Sequence, residues 1–178
     1  MTPKLRPLGL GASACLLLGA CQMQAQPTPG AAVPSITELQ PLTIYASASC
    51  GQPRPSVRML TDQASLTQVI EGGRLLGAEP KSTPLVDFAS NTVVMLSMGQ
   101  QPTAGYLVSV TAASVHLASR ALTVNTLWKL PEPGSMQAMV ITHPCAVFGL
   151  PRGDYRSLRV VDQHQQERLR VDLNAAAR

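Results

Sequence analysis

Asn91-Thr-Val-Val-Met-Leu-Ser-Met98-Gly99-Gln100-Gln101-Pro102-Thr103-Ala104-Gly105-Tyr106 is the stretch from which the fold is read. Residues 92–98 carry apolar side chains at both odd and even positions, Val93 to Leu96 and Met98, the pattern of a strand buried on both faces. After the stretch, Tyr106, Val108 and Val110 alternate with Leu107, Ser109 and Thr111, the pattern of a second strand. The segment between them is polar and turn-forming. Pro102 fixes its own φ and pushes Gln101 out of the helical region. Gly99 and Gly105 permit positive φ, and Thr103 can bond nearby backbone. Two core strands are thus expected to flank a structured loop whose Gln and Thr side chains have no apolar face to fill. Such a loop is either a structural connection or a recognition surface carried on a rigid scaffold.

Working outward, residues 42–48 alternate Leu42, Ile44 and Ala46 against Thr43, Tyr45 and Ser47, which suits a strand, and 57–60 suit a short one. Thr61 or Asp62 can N-cap a helix running to about Glu71. Leu66, Val69 and Ile70 form its inner face, and Gly72-Gly73 end it. Residues 77–84 read as a loop and 85–88 as a strand. Beyond the opening stretch, 113–118 and 121–128 form an expected hairpin across Ser119-Arg120. Residues 131–134 break the chain, 136–142 and 146–150 read as strands, and 157–162 with 168–173 as a closing hairpin. Eight to ten strands and one helix predict a mainly β domain, a β-sandwich or rolled antiparallel sheet with one short helix. A ferredoxin-like arrangement would need a second helix.

The N-terminal 34 residues belong to export and tethering. Lys4 and Arg6 precede an apolar run, 8–20, of about 13 residues, too short to span a bilayer. Leu18-Gly19-Ala20-Cys21 resembles the lipobox of bacterial lipoproteins, which implies signal removal after residue 20 and acylation of Cys21. The alternative is an ordinary cleaved signal with an incidental Cys. Residues 21–34, with Pro27, Pro29, Gly30 and Pro34, read as a flexible tether reaching roughly 45–50 Å. Several acyl chains on one residue anchor a protein stably. Gln22 after the Cys implies outer-membrane sorting, with the domain facing the periplasm. Residues 35–178 are then one globular domain, long enough for its own core. Without Lys4 and Arg6 it keeps 12 basic and 10 acidic residues, net +2. That balance, with no basic run interleaved with aromatics, argues against a nucleic-acid partner.

Once Cys15 and Cys21 are set aside, Cys50 and Cys145 remain. An exported pair in an oxidising compartment is expected to form a disulfide. The alternative is a metal site of Cys145, His143 and Cys50 with His116 or a Met. Motifs for hydrolases, zincins, P-loops and dinucleotide folds are lacking, and no carboxylate pair suggests acid–base work. His164 reads as solvated in a turn, and His116 as facing solvent from a strand. Met95/Met98 and Met136/Met139 are read as core rather than as thioether ligands. No cofactor, resident metal or catalytic residue is expected.

Residues 88–161 resemble the C-terminal domain of the PrcB family, named from a lipoprotein subunit of a bacterial surface protease complex. The resemblance rests on 92–106, where the family usually shows Gly-x-(Arg/Lys)-Pro-Thr-Gly-Gly-Tyr, and on Pro133-Gly134-Ser-Met136. It rests also on Val140-Ile-Thr-His143-Pro144-Cys145 and on Pro151-Arg-Gly153-Asp154-Tyr155 with the strand after it. Gln101 stands where a basic residue is usual, and Ala104 where Gly is usual. The resemblance implies a non-catalytic accessory or binding module with an exported protease as candidate partner, met through Gln100, Gln101, Pro102, Thr103, Gly105 and Tyr106. A shorter similarity joins 101–106 to the Asn-Pro-Thr-Thr-Gly-Tyr loop of chagasin-type cysteine-protease inhibitors. It makes a direct inhibitor acting through residues 100–106 the second reading. An envelope metal carrier or enzyme using His143 and Cys145 is the third.

Overall fold

The computed structural model describes residues 35–73 and 82–173 of the compact unit Pro34–Arg178. The signal, Cys21 and the tether expected at 1–34 lie outside the described residues, as does most of the 77–84 loop. The described residues form nine strands and one helix: β1 (Ile36–Leu39), β2 (Leu42–Ser47), β3 (Pro55–Leu60), α1 (Gln63–Gly72), β4 (Asn91–Met98), β5 (Leu107–His116), β6 (Ala121–Lys129), β7 (Cys145–Pro151), β8 (Ser157–Val161) and β9 (Glu167–Asp172). One sheet has the order β1-β5-β6-β8-β9 and the other β2-β7-β4-β3. All pairings are antiparallel except β6 with β8, which run parallel because β7 leaves for the other sheet between them. The mainly β expectation is met as a two-sheet sandwich.

The consecutive apolar residues of β4 have two faces to bury. Val94, Leu96 and Met98 meet Val108, Leu122, Val124, Trp128, Phe148 and Leu158 between the sheets. Val93 and Met95 point to the opposite side, where Leu66, Val69 and Ile70 of α1 pack with Cys50, Cys145 and Val147. The helix therefore forms a third layer. Asp62 caps it, accepting the Ser65 N–H at 2.7 Å, while Ser65 Oγ accepts from the Asp62 N–H. Gly73 closes it for want of space, since a Cβ there would run into the Ser49 carbonyl.

Three local expectations are corrected and one strand is added. The runs 106–111 and 113–118 belong to one strand, β5, in which a register shift between Val110 and Ala112 reverses the side-chain alternation. Residues 85–88 form no strand: the Asp87 carboxylate accepts the Ala89 N–H and bends the chain into a turn. Leu85 is left exposed. Residues 136–142 form no strand either, apart from a bridge at Thr142. Both edges of β7, the strand that follows, are occupied by β2 and β4, so this segment cannot pair with it as a hairpin. β1, unread from the sequence, pairs with β5 and begins the five-stranded sheet.

Candidate functional site

Leaving β4, the chain turns sharply at Gly99. Its φ is +75°, and a Cβ would come within 2.6 Å of Pro55. Both the backbone angle and the space require glycine. Gln100 then donates its N–H to the Pro53 carbonyl, leaving its side chain exposed. Gln101 exchanges two backbone bonds with Thr142, at 2.8 and 3.0 Å, and Ala104 donates to the Ala138 carbonyl at 3.0 Å. Thr142 Oγ1 adds a bond to the Thr103 carbonyl. Gly105, at φ +92°, lies where a Cβ would meet Gln137 and Pro131. Residues 100–105 are thus clamped along the segment 130–142, which crosses beside them as a strap.

From the sequence, Pro102, Gly105 and Tyr106 have structural reasons for their places, which leaves Gln100, Gln101 and Thr103 as the residues expected to touch a partner; of those three, Gln100 is exposed and the other two are half-buried. Gln101 turns its Nε2 onto the Met98 carbonyl, and Thr103 Oγ1 donates to Ala104 O. Tyr106 packs against the core between the sheets. Gln100, Pro102 and Gly105 remain exposed. The loop's outward chemistry is limited, and its backbone serves to hold the strap.

The strap carries the surface that the sequence reading missed. Glu132, Pro133, Gly134 (φ +78°) and Ser135 form a turn closed by the Ser135 N–H on the Glu132 carbonyl. Met136 beyond it is 100% exposed and Met139 87%. Both were expected in the core, and the absence of any strand beneath them leaves them outside it. Leu130, Val140 and Ile141 are also about half exposed. Several large apolar side chains left in water along one segment make it a candidate interaction surface. The available signal was the bracket of Pro131, Pro133, Gly134 and Pro144 around an apolar run, which argues against a strand.

Cys50 and Cys145 are joined in a disulfide, Cα to Cα 6.0 Å, and both are buried. This corrects the metal-carrier or thiolate-enzyme alternative, because no thiolate stands beside His143. The backbone of His143 is also committed, donating to Ala48 O and accepting from Cys50 N. Among the described residues no three His, Cys, Asp or Glu side chains gather as a cation site. His116 sits on β5 with Nδ1 3.3 Å from the Ser119 N–H, and His164 is exposed in its turn.

Asp162, read only as a strand end, is buried and accepts from the His164 and Gln166 N–H groups and from Arg168. Burial pushes its carboxyl up, and the two N–H bonds and the Arg168 guanidinium outweigh that to hold it below the usual carboxylate range. Arg168 in turn lies 5.9 Å from the Trp128 ring centroid. This network fixes the β8–β9 turn and is structural.

Residues 92–151 match the family model described as PrcB C-terminal, which bears out the resemblance over that segment. The match begins inside β4, covers the loop and the strap, and ends at the last residue of β7. No curated protein and no solved structure matches the chain.

Proposed function

We propose, from the PrcB C-terminal segment at residues 92–151, that this chain is a non-catalytic accessory module of a protease complex. In this reading Cys21 is acylated and anchors it to the outer membrane, and residues 21–34 hold the domain close to the periplasmic surface. The docking face is the strap 130–142 with Gln100 and Pro102 beside it. The observation that carries the reading is the exposure of Met136 and Met139 on backbone pinned by Gln101, Ala104 and Thr142. A surface whose backbone is already ordered loses little entropy on binding. An exported protease is the partner that the family segment favours.

The test is affinity capture of the lipidated chain from envelope extract, following proteolytic activity in the captured fraction. A Met136→Asp/Met139→Asp variant keeps the fold, since neither side chain touches the core, and is expected to lose at least about tenfold of that activity. Equal activity from variant and parent would remove the strap as the docking face.

The inhibitor reading places the contact on the loop 100–106 beside the strap. It is favoured only by the short loop similarity, and the internal bonds of Gln101 and Thr103 leave that loop little side chain to offer. Reduced cleavage of peptide substrates by cysteine proteases in the presence of the pure protein would revive it.

A further inference from the structure

We infer that Met136 and Met139 form a reversible oxidation site that switches the strap between an apolar and a polar surface. The inference rests on the docking role proposed for the strap, but the chemistry of the site can be judged without it. The five methionines of the described residues divide sharply. Met95 and Met98 are 0% and 1% exposed on the two faces of β4, Met59 on β3 is 37% exposed, and Met136 and Met139 are 100% and 87% exposed. Thioether oxidation needs direct approach of the oxidant to sulfur, so exposure sets the order of reaction. The Cys50–Cys145 disulfide independently suits a compartment where thiols are oxidised.

The oxidant is a peroxide. A lone pair on the thioether sulfur attacks one oxygen of hydrogen peroxide, forming the S–O bond as the O–O bond breaks. The departing hydroxide takes the proton from the sulfur-bound oxygen and leaves as water. Sulfur has lost two electrons, the peroxide has gained them, and methionine sulfoxide remains. A thiol-driven methionine sulfoxide reductase reverses the step.

The consequence is local to the surface. The bonds that hold the strap run through the backbone of Gln101, Ala104, Ala138 and Thr142 and the Thr142 hydroxyl, not through either Met side chain. Oxidation therefore leaves the strap in place and the core intact. It replaces two flexible apolar side chains at the centre of the exposed run with strongly polar ones, which resist desolvation in an interface.

Graded hydrogen peroxide applied to the full-length lipidated chain in detergent, followed by peptide mass mapping, tests the site. Met136 and Met139 are expected to gain oxygen first, Met59 later, and Met95 and Met98 only on unfolding. Oxidation of Met136 and Met139 no faster than that of Met95 and Met98 would overturn the inference. The switch is read by capture of proteolytic activity with four samples: untreated, oxidised, oxidised then reductase-treated, and oxidised Met59→Leu, whose substitution on β3 lies outside the docking face. The inference expects at least about a tenfold loss in the second and fourth samples, with recovery in the third. Undiminished capture by the oxidised chain, or a loss that Met59→Leu abolishes, would overturn the switch and leave the docking reading intact. If the untreated chain captures no proteolytic activity, the docking reading fails and the switch with it, while mass mapping still decides the oxidation site.

Discussion

Gly105 shows how one residue can serve the fold and the surface together. Its positive φ and its closeness to Pro131 and Gln137 set the loop against the strap. Gly105→Ala is expected to cost about 1–2 kcal/mol from the backbone angle alone. It should also speed hydrogen exchange at the Ala104 amide, whose bond to Ala138 spans the two segments. Unchanged exchange there would mean that the clamp does not depend on this glycine. Asp162 belongs at the same scale. Its carboxyl is held below the usual range, as are those of Asp62, bonded by Ser65, of Asp87, bonded by Ser90 and Ala89, and of Glu167, bonded by Arg170. A carboxyl lowered in the folded state adds stability above its unfolded value, and that stability is lost as pH falls through the folded value. Unfolding midpoints should accordingly hold steady at neutral pH and drop below about pH 4. Asp162→Asn should lower Tm at pH 7 and flatten this acid limb, because Arg168 loses its ion pair. An unchanged acid limb in that variant would show that Asp162 does not contribute to it.

Among the elements, the disulfide joins the loop before β3 to the first residue of β7 across 95 positions. Closing so long a loop restricts the unfolded chain, and Cys50→Ala/Cys145→Ala is expected to cost about 4 kcal/mol in denaturant unfolding. A loss below about 1 kcal/mol would assign the stability to the surrounding apolar cluster instead. The sandwich, α1, the disulfide and the glycine turn at 99 were legible because each leaves a strong local mark. Those marks are period-two alternation, a cap residue at Thr61 or Asp62 before the Leu66, Val69 and Ile70 face, a lone Cys pair and a glycine between an apolar run and a polar turn. The continuity of β5 was hidden by the shift near Thr111, which reverses the alternation halfway along. The strap was hidden because 136–142 has the composition of a strand, and pairing depends on a free edge that no local pattern records. Its exposure, and hence the strongest candidate surface, could not be read without knowing that β2 and β4 already flank β7.

At the scale of the whole molecule, the sandwich holds one apolar strap outside its core and ties it down with backbone bonds. That arrangement and the PrcB C-terminal match across the same residues support the proposed accessory module. Leu85, also exposed but distant in sequence from the loop and strap, serves as the internal control. The most direct measurement is site-specific photo-crosslinking in intact envelopes, with the photoreactive residue placed at Met136, Met139 or Leu85 of the full-length chain. The account predicts a cross-linked exported protease from positions 136 and 139 and none from 85. The same product from all three positions, or none from 136 and 139, would contradict it.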